Sequence, residues 1–299
     1  MQNVSKRASQ TMEAVCAVRA AHGDAMSKAL LIALPEADRS RDLLDSGSRG
    51  AFSRSILVRT HFFDGMLQRA TESCTQLVVL SAGLDTRPYS AGKRSFRQVF
   101  SVDHVESQRL CRDLLQRVGI DAADVAFVAC DLAADPAGLL QSLAAAGLDT
   151  SQATLFLWEG ATYYLPPALV TQVLQGIGEA LPQVAVAADF LDRTGYFRGV
   201  DPVNEGVARN LAFLAQIGEP WIGFFDREQL ATDLRTGGFA ATQVCDRVDV
   251  ERRCFDDPKL HAGTTFFVYA TTGEKPWMHA LLPISSTQMS SQPKSKNAM

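Results

Sequence analysis

LVVLSAGLDTRPY, Leu77 to Tyr89, is the stretch from which the fold of this chain is read. Leu77 to Leu80 is an unbroken apolar run, β-branched at Val78 and Val79, that stops at the small-residue turn Ser81-Ala82-Gly83. A strand in a parallel sheet has this continuous character because helices cover both of its faces. Asp85 and Arg87 follow, and Pro88 forbids a simple continuation of the strand. Polar groups are thus displayed at the carboxyl end of a strand, which is where open α/β sheets hold ligands.

The pattern repeats downstream. Gln98 to Asp103 (QVFSVD) reads as a second strand ending in an acid, and Val105, Cys111, Leu114, Leu115 and Val118 line one face of the next helix, which Gly119 ends. Val125 to Cys130 is a third strand closed by Asp131, and Pro136 opens a helix to about Ala146. Thr154 to Trp158 is a fourth strand with Glu159 at its end. Pro166 and Pro167 start a helix striped by Val170, Val173 or Leu174, and Ile177, and Val184 to Phe190 is the fifth strand. Four successive βα units predict an α/β fold built on a doubly wound, Rossmann-like, mostly parallel sheet with right-handed crossovers. The β runs Ala241 to Val250 and Thr264 to Thr271 are expected to complete seven strands as an antiparallel edge pair.

Upstream, Thr11 to Ala21 and Ala29 to Leu34 read as helices, with Pro35 and Gly47 as breakers. Phe52, Ile56, Phe63, Met66 or Leu67, and Ala70 recur at helical spacing, so a helix from Phe52 to Arg69 leads into the opening strand. The expected organisation is an N-terminal helical cap over residues 1–52 with a frayed start, and a main domain over 53–275. That domain carries a helical lid at about 195–222, with its helix at Asp201 to Ile217. Asp226 and Gln229 have capping-box spacing for a helix ending near Gly237, and the Ser- and Lys-rich tail, 276–299, reads as disordered.

Composition removes several functions. A net charge of -4 without a basic stripe argues against nucleic acid as a partner. Apolar runs such as Ala29 to Leu34 fall short of a membrane span, and the N-terminus lacks an apolar signal core, so a cytoplasmic location without membrane contact is expected. The six cysteines are scattered and read as free thiols, with neither a zinc site nor a disulfide framework. No G-x-S-x-G or H-E-x-x-H occurs, and His61, His104 and His261 stand apart from second catalytic groups.

A dinucleotide fingerprint needs three glycines so that backbone approaches a pyrophosphate; here the positions are Ser81, Gly83 and Thr86, with Asp85 in the loop, where a carboxylate would repel that phosphate. S-adenosylmethionine has no phosphate but carries a sulfonium and an ammonium group. The strand-end acids then find partners: Asp103 for ribose hydroxyls, Asp131 for the adenine amino group, and Glu159 or Asp85 for the ammonium end. Blander readings stand beside these, since Asp103 and Asp131 also suit helix caps, Arg59 an ion pair, and Tyr163 and Tyr164 the core. The Phe213, Trp221, Phe224 and Phe225 group reads equally as core or as an apolar substrate wall.

Ser81 to Arg87 is similar to the GAGLDTR loop of the leucine carboxyl methyltransferase family. Arg59 to Asp64 (RTHFFD) is similar to the family's RTRFFD segment, and Glu159-Gly160 with Tyr164-Leu165-Pro166 to its EG...YLP segment. Val102-Asp103, Asp131-Leu132, Gly218-Glu219-Pro220 and Phe225-Asp226 also match, so the resemblance covers roughly Arg54 to Phe239. It implies a class I methyltransferase in which Arg59 binds the methionine carboxylate of S-adenosylmethionine and Gly83 packs against its methionine part. Asp103 then holds the ribose, Asp131 and Leu132 the adenine, and Glu159 the amino group, with Ser81 and Asp85 completing the loop. Tyr164 is the residue nominated for positioning substrate.

The chain departs from the family at Ser81, in place of the first loop Gly, and at Ser101, where Glu is usual; no Pro follows Asp103. Substrate choice is expected in the poorly matching cap. In-line methyl transfer depends mainly on orientation. A carboxylate acceptor is already ionised at neutral pH and needs no base, whereas a hydroxyl needs one, for which His61, His104 and Tyr164 are candidates. The expected function is therefore O-methyl transfer to the carboxylate of a small organic acid or secondary metabolite. A hydroxyl acceptor, an NAD-dependent oxidoreductase and a non-catalytic cofactor-binding protein are the alternatives.

Overall fold

A computed structural model of the chain describes residues 9–48, 50–90, 95–255 and 265–273. Four α-helices precede the first strand, and polar caps fix where two of them start. Ser9 Oγ accepts from the Met12 N–H (3.1 Å) to open α1 (Gln10–Ala21), and Asp24 accepts from the Met26 N–H (3.0 Å) to open α2 (Ala25–Leu30). A 3-10 turn, Leu31–Ala33, leads to Pro35. Helix α3 (Ala37–Ser48) lies where only breakers are read from the sequence: its twelve residues bury just Ala37, Ser40 and Leu44, too thin a stripe to show as periodicity. Gly47 does not break it, because it sits in the last turn against the Phe213 ring. Helix α4 (Ala51–Ala70) buries the expected Ile56, Phe63, Met66, Leu67 and Ala70.

The chain then alternates. It runs β1 (Gln76–Leu80), β2 (Gln98–Asp103), α5 (Val105–Arg117), β3 (Val125–Ala129), α6 (Gly138–Ala145), β4 (Thr154–Trp158), α7 (Pro167–Ala180) and β5 (Val184–Asp192). A short α8 (Arg193–Tyr196), the hairpin β6 (Phe197–Arg198) and β7 (Asp201–Pro202), α9 (Glu205–Gln216) and β8 (Phe224–Phe225) follow. Last come α10 (Arg227–Thr236), β9 (Ala241–Asp246), α11 (Arg247–Cys254) and β10 (Thr265–Thr271).

The sheet order is β3-β2-β1-β4-β5-β10-β9, the first five strands parallel, with β10 antiparallel to both β5 and β9 and β8 adding a short parallel pair to β5. This is the doubly wound α/β sheet expected from the sequence. Strand β1 is central, and all five of its residues are buried. Its end, Leu80, is in register with Val102 on β2 and Trp158 on β4, so the next residues, Ser81, Asp103 and Glu159, emerge side by side. Apolar side chains fill both faces: Phe62 of α4 stacks on Phe267 (4.5 Å between centroids) on one side, and Phe156, Trp158 and Ile177 are buried on the other. Burying each such side chain contributes roughly 1.5–3 kcal/mol.

Three expected boundaries move. The helix read at Ala29 to Leu34 starts instead at Ala25, under the Asp24 cap, and ends at Leu30 before the 3-10 turn. The run Ala241 to Val250 is a strand only to Asp246; its alternating valines hide a helix whose Arg247 and Glu251 pair at i,i+4 spacing (3.5 Å). The helix expected from Asp201 starts at Glu205, because Asn204 accepts from the Val207 N–H (3.0 Å) and the residues before it turn in the hairpin. His261, Thr264, the tail at 276–299 and the first eight residues of the frayed start lie outside the described residues. Among the described residues no helix is long and apolar enough to cross a membrane.

Candidate active site

The loop after β1 is held in an unusual conformation. Ser81 has φ 50°, the one non-glycine residue among those described in the left-handed region, and Gly83 has φ 52°. An L-residue there costs about 1–2 kcal/mol, which the surroundings must offset. The Trp158 indole donates to Ser81 Oγ (3.3 Å), and the Gly83 N–H donates to Asp103 Oδ2 (2.7 Å). The acid closing β2 therefore anchors the loop after β1. Burial raises the Asp103 carboxyl above its ordinary value, against the lowering effect of the Gly83 and His104 N–H groups. A side chain at Gly83 would come within 3.2 Å of Met12 Cε, so α1 closes on the loop from above.

Behind the loop lies a buried cluster of charges. Arg19 of α1 and Arg59 of α4 both donate to Glu159 Oε1 (2.7 and 2.9 Å), and Arg87 donates to Glu159 Oε2. Arg87 also reaches Asp85 (2.7 Å) and Asp64 (2.7 Å), while Arg19 lies 3.5 Å from Asp85. Burial alone would raise the Glu159 carboxyl, but Arg19, Arg87 and Arg59 outweigh it and hold it far below the usual carboxylate range. Gly160 follows with φ 68°, and a Cβ there would lie 2.6 Å from Arg59 Nη1; only glycine lets the guanidinium cross the turn.

Asp189 of β5 supports this turn from beneath. It is wholly buried, accepts from the Gly160 N–H (2.7 Å) and the Tyr163 hydroxyl, and lies 4.0 Å from Arg59. Burial pushes its carboxyl up to about 6, opposed by Arg59 and those two donors.

Two cavities meet over the strand ends. The larger, about 500 Å³, is bordered by Arg19, Arg59, Gly83, Asp85, Asp103 and Glu159, and also by Met12, Val15, Tyr164, Glu219 and Ile222; Glu219 meets α1 at Thr11, about two turns before Arg19. The smaller, about 220 Å³, is bordered by His104, Cys130, Asp131 and Leu132. Ser81, Asp103, Ala161 and Tyr164 line both, so the two form one trough across the ends of β1, β2, β3 and β4.

The structure brings together Arg59, Ser81, Gly83, Asp85, Asp103, Glu159 and Tyr164 around the larger cavity and Asp131 and Leu132 around the smaller. Asp131 also has the blander role foreseen for it, since its Oδ1 accepts from the Ala133 and Ala134 N–H groups (3.0 and 3.2 Å). Of the two tyrosines, Tyr163 is the buried one and Tyr164 the one facing both cavities. His61 lies in neither cavity wall, whereas His104 borders the smaller one. Sequence reasoning missed Arg19, Asp189 and Glu219 as members of the site. Arg19 sits among small apolar residues of a cap helix, and Asp189 interrupts an otherwise apolar strand, which was the available signal.

A profile of the leucine carboxyl methyltransferase family matches residues 6–178. A Frankia alni protein named as a candidate S-adenosyl-L-methionine-dependent methyltransferase is 35% identical over 126 residues, 42% of this chain and 43% of that protein. A Mycobacterium avium protein of the same description is 36% identical over 140 residues, 45% of this chain and 43% of the other. The chain spans less than half the length of these curated relatives. Among solved structures, a candidate methyltransferase from Thermobifida fusca aligns with a TM-score of 0.57 at 17% identity, covering 79% of this chain and 88% of its own. A DUF574 family protein from Streptomyces avermitilis aligns at 0.56 with 14% identity, covering 78% and 90%. At such identities the two structures speak for the fold.

Proposed function

Because the chain belongs to the leucine carboxyl methyltransferase family, we propose that it is an S-adenosylmethionine-dependent O-methyltransferase acting on a small organic acceptor. The observation carrying this reading is the trough itself: a buried arginine and carboxylate cluster at one end, strand-end acids along its floor and an apolar chamber at the other end.

The residues present suit the methyl donor. Arg59, joined by Arg19, would hold the methionine carboxylate, with Gly83 leaving room for backbone approach. Asp103 would take the ribose hydroxyls, and Asp131 with Leu132 the adenine. For the ammonium end, Glu159 has spent three of its roughly four acceptor positions on arginines, so Asp85 shares the task. Asp85 in the cavity wall also disfavours a dinucleotide, whose pyrophosphate would face it. When bound, S-adenosylmethionine supplies a sulfonium methyl open to in-line attack; the chain's own part is to fix both partners and exclude water.

The acceptor oxygen divides the reading. A carboxylate, the acceptor expected from the sequence, requires positioning alone. A hydroxyl is the second reading, and Glu219 favours it, because a carboxylate in the chamber wall beside Tyr164 would repel an anionic acceptor. Incubation with methyl-labelled S-adenosylmethionine and a small-molecule extract of the producing cell, followed by mass spectrometry, is expected to yield a species one methyl heavier. No labelled product, together with tight NAD binding, would overturn the proposal.

A further inference from the structure

The segment Gly218-Glu219-Pro220 borders the larger cavity, yet nothing in cofactor binding uses it. Glu219 bridges to the opposite wall: Thr11, 208 positions away at the start of α1, donates its hydroxyl to Oε2 and its N–H to Oε1 (3.3 Å). Tyr164 stands beside this pair; burial raises its phenol, and the Glu219 charge raises it further. The walls around them, Met12, Val15, Pro220 and Ile222, are apolar. A carboxylate facing an apolar chamber next to a phenol repels an anion and accepts a proton from a neutral O–H.

Resting on the methyl-transfer reading above, we propose that Glu219 is the proton acceptor of the reaction and that the acceptor is a hydroxyl group on an apolar body, a phenol being the closest fit. The acceptor oxygen forms its bond to the methyl carbon as the carbon–sulfur bond breaks and sulfur keeps the electron pair; the O–H proton passes to Glu219. Phenols ionise near pH 10 and are neutral at pH 7, so this transfer needs a base. Tyr164 donates to the same oxygen and orients it. The other titratable and charged groups sharing the cavity are Arg19, Arg59, Asp85 and Glu159, which belong to the cluster around Glu159, and Asp103, which accepts from the Gly83 N–H.

The alternative role for Glu219 is a latch that merely ties its segment to α1; losing a latch lowers kcat alike at every pH, whereas losing a base is made good as the acceptor ionises by itself. The test uses the full chain, tritiated S-adenosylmethionine and matched probes, phenol with benzoate and 2-naphthol with 2-naphthoate. Transfer is expected to the phenols and not the carboxylates. Glu219→Gln should lower kcat about 100-fold at pH 7, the loss shrinking toward pH 10 as the acceptor ionises by itself, with an unchanged Kd for S-adenosylmethionine. Transfer to the carboxylates, transfer to none of the probes by a protein that binds the cofactor, or a Glu219→Gln loss that stays the same from pH 7 to pH 10 would overturn the proposal. Failure to bind S-adenosylmethionine at all would overturn the methyltransferase reading beneath it.

Discussion

At one end of the trough Arg19, Arg59 and Arg87 reach Glu159 from α1, α4 and the loop after β1, and the side chains of all four are at most 13% exposed. At the other end Glu219 meets a single turn of α1, Tyr164 is half-buried, and Ile222 is 49% exposed. The first end is preorganised: each charge is satisfied before any ligand arrives, and its geometry is fixed by strand ends in register. The second end is formed where the segment between α9 and β8 meets the start of α1 at Glu219 and Thr11. On the proposed reading, a rigid cofactor end joined to a separately built acceptor end lets one fold keep its cofactor while its acceptor varies.

Arg59→Ala attacks the preorganised end most directly. Removing one member of a buried charge network costs about 3–5 kcal/mol, and it should weaken S-adenosylmethionine by roughly 100-fold. Denaturant melts and calorimetry measure the two effects, and an unchanged Kd would remove Arg59 from the cofactor site.

Asp189→Asn probes the support beneath that end through pH. The folded carboxyl, at about 6 against an ordinary 3.8, binds its proton more tightly than the unfolded one. Its contribution to stability is therefore fully present below the ordinary value and is lost as pH rises through 6. Relative to the Asn variant, the native chain should lose on the order of 3 kcal/mol between pH 4 and pH 7. Glu159, held far below the usual carboxylate range by its arginines, stays ionised from pH 4 to pH 7 and adds no pH dependence in that window. Denaturant titrations at the two pH values check this, and parallel curves would contradict it.

Ser81 offers a finer comparison. Ser81→Ala keeps the strained φ and leaves the buried Trp158 N–H without its acceptor, for a cost of about 1–3 kcal/mol. Ser81→Gly loses the same hydrogen bond but relieves about 1–2 kcal/mol of strain, so it should melt close to the native chain. The smallest effect is expected at the lid, where Ile222→Ala should change stability by less than about 0.5 kcal/mol and leave cofactor affinity untouched. A large loss of affinity there would erase the contrast between the two ends.

The same contrast explains what was legible in the sequence. Strand ends announce themselves, because a buried apolar run followed by a small-residue turn and an acid is a local pattern; hence Ser81, Asp103, Asp131 and Glu159 could be placed on one edge before any coordinates. Register then aligns them without further information. Arg19 and Glu219 act through contacts 140 and 208 positions apart, and no local pattern encodes such a meeting. Helix α3 escaped because a surface helix with three inward residues leaves almost no periodic trace. Asp189 was visible as an acid in an apolar strand, but its role depends on the Gly160 N–H and Tyr163 hydroxyl that only the turn after β4 supplies.

Calorimetric titration of the full chain with S-adenosylmethionine, and in parallel with NAD, tests the central claim most directly. Saturable one-to-one binding of S-adenosylmethionine, abolished or greatly weakened in Arg59→Ala and absent for NAD, is the expected result. Tight binding of NAD with none of S-adenosylmethionine would contradict the account.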